Sequence, residues 1–260
     1  MTALEPFFVA DGDHFLATIS TRGPWSRNHQ HGGPPAALCV RALEALAPRG
    51  SLLTRLTFDF LRPIPMGAVS VTAEVVRAGA KVQRLRATLR DAAGRDLVHV
   101  SAVAMRTAPT LPSSLVDATG ALPPPEAGEP FVFPFFPEST GYHHAVEMRV
   151  VRGAWGTGPM AAWMRTRVPL VAGEAPSPLQ RLLLATDSAS GVAVAVDPKR
   201  YSWVNADLTV AIHRVPEGEW VCLDATTATE AHGVAVTRAR LWDTRGPVGV
   251  SLQSLVIEPR

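Results

Sequence analysis

Asp187 is a carboxylate in an otherwise apolar stretch, residues 182–187, whose spacing could place it on a buried helix face. It lies four residues after Leu183 and eight after Leu179, so a helix would put all three side chains on one side. A buried carboxylate is costly unless it is hydrogen-bonded, and such groups are enriched at functional sites, where they can take a proton from water. Asp187 is therefore a candidate general base. The alternative is a helix-end Asp that caps the loop at residues 188–191.

Two amide side chains lie on strand-like segments close to apolar neighbours. Gln253 alternates in phase with Leu255, so it stands on one strand face beside apolar residues. Asn205 shares a face with Trp203, and strict alternation would put Leu208 on the opposite, core-facing side. Each amide needs hydrogen-bonding partners if it is buried. The alternatives are an edge-strand Gln in solvent and a solvent-facing Asn.

The loop at residues 25–33 brings polar side chains to the start of a predicted helix and ends in His31, Gly32 and Gly33. Free N–H groups at a helix start, with glycines that allow close approach, would suit a developing oxyanion or a phosphate. The glycine pair is equally typical of a tight turn that starts the helix beside a sheet.

The elements that position these groups recur in the same order in each half of the chain. Apolar periodicity and turn residues predict a strand, a helix and four further strands, twice. The first set is a strand at 14–21, a helix at 34–47 and strands at 52–60, 69–77, 81–90 and 97–106. The second set is a strand at 161–168, a helix from 178 to about 190 with Ser177 as N-cap, and strands at 201–213, 220–229, 235–242 and 248–257. A further edge strand is expected within 141–155.

This layout predicts an α+β protein with a double-hotdog fold, in which each long central helix is wrapped by a curved antiparallel sheet. A single repeat leaves a sheet edge that must pair, and two repeats in one chain can pair with each other. The predicted units are residues 1–108, a proline-rich linker at 109–137 that lies over a surface, and residues 138–260. The alternative is two unrelated α+β units.

The repeat also suggests a second position for a carboxylate. Aligning Pro35 with Pro178 puts Glu44 opposite Asp187, so Glu44 could mark a second site. The alternative is a solvated Glu on the helix surface.

With these motifs in place, the sequence resembles the type II acyl-CoA thioesterases of double-hotdog fold over nearly its whole length. His31-Gly32-Gly33 is similar to that family's motif at the helix start, and residues 60–63, Phe-Leu-Arg-Pro, are similar to the motif that closes its first long strand. The resemblance implies that His31, Gly32, Gly33 and Arg62 bind the substrate.

The same resemblance implies a catalytic set in the second half. The family uses an Asp in the second central helix, a Thr early in the next strand and a Gln in the last strand to orient the water that hydrolyses a thioester. Asp187 and Gln253 match, whereas Asn205 stands where the family has Thr. An amide offers a fixed acceptor oxygen and two donors in place of a rotating hydroxyl, so we expect a different water geometry. No metal or organic cofactor is implied.

The composition of the chain indicates which classes of binding partner and which cellular location to expect. The chain of 260 residues is 47% hydrophobic and 18% charged with a net charge of +2, and its Lys and Arg residues are not clustered, so nucleic acid is not expected. The sequence lacks an apolar run long enough for a membrane span and a secretory signal, which predicts a cytosolic protein. Cys39 and Cys222 are expected to be buried and unpaired. Hotdog sheet edges commonly pair between chains, so a homodimer or larger assembly is expected.

Two other functions remain open at this stage. A non-catalytic acyl-binding protein would keep the cavity without the chemistry, and Asn205 is the residue that favours it. A hotdog hydratase would use a His–Asp pair to which His29 or His31 could contribute, although the Asp-x-Asn-Pro-x-His pattern of such enzymes is missing.

Overall fold

A computed structural model of the chain describes residues 4–111 and 121–260, so the part of the predicted linker at 112–120 lies outside the described residues. Fourteen strands of the described chain form one sheet in which every strand pair is antiparallel. The strands are β1 Phe8–Asp11, β2 His14–Ala17, β3 Ser51–Phe60, β4 Ala68–Arg77, β5 Val82–Asp91, β6 Asp96–Arg106, β7 Glu129–Phe131, β8 Val146–Arg152, β9 Met160–Thr166, β10 Tyr201–Asn205, β11 Asp207–Ile212, β12 Val221–Thr229, β13 Val234–Asp243 and β14 Gly246–Pro259.

The two halves of the sheet meet at the β3–β11 pair. The strand order is β1-β2-β4-β5-β6-β3-β11-β14-β13-β12-β9-β8-β7, with β10 paired to β14. Phe58 on β3 lies opposite Leu208 on β11, and both side chains are fully buried. This pairing of β3 with β11 leaves neither strand as an exposed sheet edge in the middle of the molecule.

The helices are α1 Gly33–Leu46, α2 Tyr142–Ala145, α3 Pro178–Thr186 and α4 Ala189–Val192. Pro34 and Pro35 occupy the first turn of α1, where a missing N–H and a fixed φ are tolerated. Ser177 caps α3 by accepting a hydrogen bond from Gln180 N, as the sequence predicts. In the part of the chain that is described, none of the helices combines the length and apolar character needed to cross a membrane.

Helices α1 and α3 pack side by side in opposite directions. Near the end of α1, the carboxylate of Glu44 accepts hydrogen bonds from Ser177 Oγ at 2.7 Å and from Gln180 Nε2 at 2.7 Å, at the start of α3. Asp187, at the end of α3, lies in turn at the start of α1. Glu44 is half-buried and stabilises the start of α3 through these hydrogen bonds, so it is neither fully solvated nor part of the cavity wall.

Cys39 on α1 and Cys222 on β12 are buried free thiols, in agreement with the sequence prediction. Burial raises the pKa of the Cys39 thiol to about 12, and it also raises the pKa of Cys222. Both side chains therefore pack as small apolar groups.

Several predicted elements differ in their bounds from the observed ones. The helix expected at 178–190 stops at Thr186 and restarts at Ala189, which leaves Asp187 as the C-terminal cap of α3. The strand expected at 14–21 ends at Ala17. The strand within 141–155 exists as β8 but is not at the edge, because β7 from the proline-rich segment pairs with it. β7 itself contains Pro130, which an edge strand tolerates.

The predicted continuous strand at 201–213 is interrupted at Ala206, and this changes which residues face inward. Trp203 and Leu208 are both buried, whereas Val204 is exposed. Strict alternation puts Trp203 and Leu208 on opposite faces, so that prediction is wrong. An irregular residue in a strand shifts the two-residue period, which lets Asn205 and Leu208 face the same interior.

The Ser177 cap provides a test of the α1–α3 contact. Replacing Ser177 with Ala removes the acceptor for Gln180 N and one donor to Glu44, so we expect a loss of about 1–2 kcal/mol in the free energy of unfolding. Ser177→Asn keeps an acceptor and a donor and should retain most of the stability. Urea unfolding measures both variants, and equal stability of Ser177→Ala and the parent would contradict this role.

Candidate functional site

The carboxylate of Asp187 is buried between the end of α3, the start of α1 and β10. Asn205 Nδ2 donates a 2.8 Å hydrogen bond to Asp187 Oδ1. His31 Nδ1 lies 3.2 Å from Asp187 Oδ2. Two residues that the sequence singled out separately, Asn205 and His31, thus contact opposite oxygens of one carboxylate. Asp187 is the C-terminal cap residue of α3, but its side chain points to these two partners and does not cap the loop at residues 188–191.

Gly32 and Gly33 allow this close approach. A β-carbon on residue 32 would lie 2.8 Å from Asp187 Oδ2, and one on residue 33 would lie 2.5 Å from the carbonyl oxygen of Leu184. Gly32 has φ −68° and ψ −23°, which any residue adopts, so its role is to leave space rather than to permit an unusual turn. The glycine pair brings the start of α1 into contact with the end of α3.

The start of α1 has fewer free N–H donors than the sequence suggested. Pro34 and Pro35 carry no N–H group, and Ala36 N donates to the Gly32 carbonyl. Gly33 N donates to His31 Nδ1 at 3.1 Å. Only Gly32 N, within the first turn and among the described residues, has no protein acceptor.

His31 is fixed by a buried tyrosine. Its ring stacks on Tyr142 with centroids 3.7 Å apart and planes within 2° of parallel. The hydroxyl of Tyr142 donates to the Leu184 carbonyl at 2.6 Å and lies 2.9 Å from Ser188 Oγ. Burial raises the pKa of Tyr142, so the hydroxyl keeps its proton. Tyr142 therefore ties the imidazole to the last turn of α3, beside Asp187.

One nitrogen of His31 has two neighbours that compete for it. Nδ1 accepts from Gly33 N–H when it carries no proton, and it donates to Asp187 Oδ2 when it carries one. Burial lowers the pKa of His31 from 6.5, and the charge of Asp187 opposes only part of that shift. The imidazole is thus neutral at pH 7, with its single proton on one nitrogen or the other.

Gln253 lies behind the carboxylate rather than beside it. Its side chain is buried, Nε2 donates to the backbone carbonyl of Asp187 at 3.1 Å, and Oε1 accepts from Ser190 N at 3.1 Å. The inward orientation agrees with the alternation on β14, and β14 is an interior strand, so a solvent-facing Gln is excluded. Gln253 bridges the turn between α3 and α4.

A cavity of about 370 Å³ opens beside these groups. Asp187, Asn205, His31 and Gly32 form part of its wall, whereas Gln253 and Gly33 do not line it. Arg62 lines the cavity, but the side chain is exposed and Nη1 donates to the Asp96 carbonyl at 2.7 Å. The remaining lining residues are Pro24, Trp25, His29, Gln30, Phe60, Leu61, Pro63, Ile64, Phe133, Phe135, Phe136, Ser188, Ser190, Gly191, Ser202, Trp203, Val204, Ala206, Val256 and Glu258.

Family comparison covers most of the chain. The family model of the acyl-CoA thioesterase N-terminal domain matches residues 21–107, and that of the acyl-CoA thioesterase C-terminal domain matches residues 112–257. The chain belongs to the acyl-CoA thioesterase family. The second matched segment begins inside the proline-rich region, so the family places much of that region with the second half of this thioesterase-family chain.

Solved structures show the same fold at low sequence identity. A conserved protein of unknown function with a hot dog fold from Alicyclobacillus acidocaldarius has a TM-score of 0.73 at 18% identity and covers 96% of this chain and 95% of its own. Acyl-CoA thioesterase II TesB2 from Mycobacterium marinum has a TM-score of 0.70 at 16% identity, covering 96% and 94%. The dehydratase domain of RzxB from Pseudomonas fluorescens has a TM-score of 0.55 at 15% identity, covering 95% and 94%. The fold is an α+β hotdog fold. No curated protein matches the sequence.

Two parts of the site in this family member were missed by the sequence reasoning. Tyr142 was not singled out, although it fixes His31 across more than a hundred residues of chain. The proline-rich pattern predicts that the aromatic residues at 131–136 belong to a surface linker, but Phe133, Phe135 and Phe136 line the cavity. The spacing Phe-x-Phe-x-Phe-Phe was the available signal, because so many aromatic side chains in a proline-rich segment need an apolar surface.

The protonation state of His31 can be measured directly. Since burial lowers its pKa, we expect a neutral imidazole at pH 7 in nitrogen-15 NMR spectra of the histidine side chains. In Asp187→Asn the opposing negative charge is lost, so the His31 pKa should fall further. An imidazolium at pH 7 in the parent protein would show that this electrostatic description is wrong.

Proposed function

We propose that this protein hydrolyses acyl thioesters of the acyl-CoA type with a water molecule that Asp187 deprotonates. The observation that carries the proposal is the buried carboxylate of Asp187, which lies on the cavity wall between Asn205 and His31. Neither neighbour is a permanently charged cation, so the carboxylate is not held in an ion pair with Lys or Arg and can accept a proton from water.

Asn205 and Asp187 together offer two acceptors to one water molecule. The Asn205 amide donates to Asp187 through Nδ2, so its Oδ1 atom is left to accept. A water that donates one hydrogen to each residue would direct its lone pair toward a thioester carbon in the cavity. This arrangement gives Asn205 the positioning task that the family gives to Thr.

The reaction needs no covalent intermediate. As Asp187 takes the proton, the water oxygen bonds to the acyl carbon and the carbonyl oxygen becomes an oxyanion. Collapse of this intermediate breaks the carbon–sulfur bond, and the proton held by Asp187 passes to the departing thiolate. The products are a carboxylic acid and a thiol, which together contain the atoms of the thioester and of one water.

The start of α1 is the proposed oxyanion site. Gly32 N has no protein acceptor among the described residues, and the positive end of the α1 dipole lies there. Gly33 N–H, which donates to His31 Nδ1 and does not line the cavity, is not part of this proposed site.

Gln253 is proposed as a positioning residue. Its amide joins the Asp187 carbonyl to Ser190 N and so fixes the backbone on both sides of Ser188. With both ends of the amide occupied, Gln253 supports the carboxylate instead of holding the water, the task that the resemblance implied for it.

The internal repeat is part of the proposal. The recurrence of a central helix and four strands, the antiparallel α1–α3 pair and the β3–β11 junction support two hotdog repeats at 1–108 and 138–260, joined by the segment at 109–137. β1 and β7 end the strand order and could pair with another chain, so we expect a homodimer or larger assembly, which sedimentation would reveal.

One observation favours a second candidate function, hydration of an enoyl thioester. The structure brings His31 and Asp187 together at 3.2 Å, and a hydratase would use such a pair. Incubation with crotonyl-CoA separates the two activities, because hydration removes the enoyl absorbance without release of thiol, whereas hydrolysis releases thiol. A protein that binds acyl-CoA but does neither would be an acyl-binding protein.

The central prediction concerns the base. Asp187→Asn keeps the size and most hydrogen bonds of the side chain but removes its basicity, so kcat for acyl-CoA hydrolysis should fall by about 10²- to 10⁴-fold with KM little changed. Release of CoA thiol under saturating substrate is the measurement.

Asn205 supplies the matched comparison. Asn205→Ala removes one contact to the water and should cost less, about 10- to 100-fold, while Asn205→Thr restores the family's hydroxyl and should recover part of that loss. A correctly folded Asp187→Asn protein with parental turnover would refute the assignment of the base.

A further inference from the structure

One wall of the cavity is built from aromatic rings. Trp25 and Trp203 meet edge to face, with ring centroids 4.9 Å apart and planes at 83°. Phe135 lies 5.1 Å from Trp203 and 5.9 Å from Trp25, and Phe133 lies 5.3 Å from Phe135. Phe135 joins Phe133 to the two tryptophans, so the wall is made of rigid rings instead of flexible aliphatic chains.

Trp155 and Gly191 fix the position of this aromatic wall. Trp155 stacks on Phe135 at 5.9 Å and donates a 2.9 Å hydrogen bond from Nε1 to the Gly191 carbonyl. Gly191 leaves room for the rings, since a β-carbon there would lie 3.3 Å from Phe135 Cζ. Because α4 follows directly after Asp187, the rings are positioned relative to the carboxylate before any ligand binds.

The wall is close to the reacting groups. Trp203 and Asn205 point inward from β10 two residues apart, a distance of about 6.5–7 Å along a strand. A thioester carbon beside Asp187 and Asn205 would therefore have its acyl substituent next to Trp203. That separation is about the length of one six-membered ring.

The cavity is also small. Its volume of about 370 Å³ is near the lower end of the roughly 300–1,000 Å³ typical of small-molecule sites. Trp203 and Phe133 are only 4% and 5% exposed and form the buried part of the wall, whereas Trp25 is 37% exposed and forms its outer part. A long alkyl chain would have to push the buried rings apart. The charged lining residues, Arg62 and Glu258, are both exposed at the surface.

We propose that this cavity selects thioesters whose acyl group is compact and carries an aromatic ring, in preference to linear fatty acyl groups. The proposal rests on the proposed thioesterase function and specifies its substrate class. Ring stacking and edge contacts on Trp25, Trp203 and Phe135 would provide the selection.

Four substrates test the proposal with the full-length chain. We expect kcat/KM for benzoyl-CoA and phenylacetyl-CoA to exceed that for hexanoyl-CoA by at least about tenfold, and palmitoyl-CoA to be the poorest substrate. Activity that rises from hexanoyl-CoA to palmitoyl-CoA, or hexanoyl-CoA equal to the aromatic substrates, would overturn it.

Phe135→Leu tests the rings themselves, because it keeps an apolar side chain of similar length but removes a stacking face. The ratio of phenylacetyl-CoA to hexanoyl-CoA activity should fall by about three- to tenfold. The matched control is Phe131→Leu, which contacts Phe133 and Trp155 in the same aromatic cluster but does not line the cavity and should leave the ratio unchanged. An unchanged ratio in Phe135→Leu would contradict the proposal.

Binding separates this proposal from the catalytic one. If no thioester is hydrolysed, the proposed function fails, but calorimetry with the non-hydrolysable thioethers S-phenylethyl-CoA and S-hexyl-CoA still measures selection. Tighter binding of the phenylethyl compound supports the aromatic site. Equal or tighter binding of the hexyl compound overturns it, whatever the catalytic result.

Discussion

The contact between the start of α1 and the end of α3 determines the rest of the site. Without side chains at Gly32 and Gly33, the first turn of α1 reaches the Leu184 carbonyl and the Asp187 carboxylate. That approach brings the positive end of a 14-residue helix to a buried negative charge. It also places His31 between the carboxylate and Tyr142, so one packing contact sets the neighbours of Asp187 on two sides.

The two ends of the helix pair use a carboxylate in different ways. At one end, Glu44 accepts hydrogen bonds from Ser177 and Gln180 and stabilises the start of α3. At the other end, residues 32–35 at the start of α1 are Gly-Gly-Pro-Pro, which carry no side-chain donor that could bind Asp187 in the same way. The cost of burying Asp187 is offset by only a few partners, and part of the carboxylate faces the cavity. The contact at Glu44 therefore stabilises the helix pair, whereas the contact at Asp187 forms the candidate site.

Much of the fold follows from local sequence, and the site follows less well. Ser177 as an N-cap and the inward phase of Gln253 depend on neighbours within a few residues, so local patterns predict them. The irregular residue Ala206, which turns Asn205 and Leu208 to the same interior, depends on pairing with β14 and β3 and leaves no periodic signal. The contact between Tyr142 and His31 likewise joins segments far apart in sequence, and only three-dimensional packing brings them together.

The most direct test of this account is the turnover of acyl-CoA by Gly32→Ala. The backbone of Gly32 is already helical, so Ala is conformationally acceptable, but its β-carbon would lie 2.8 Å from Asp187 Oδ2 and must displace the carboxylate. We predict a folded protein of near-parental stability whose kcat is about 10²-fold lower, because small displacements of a catalytic group are costly. A folded Gly32→Ala variant with parental kcat would show that the reaction does not depend on the placement of Asp187.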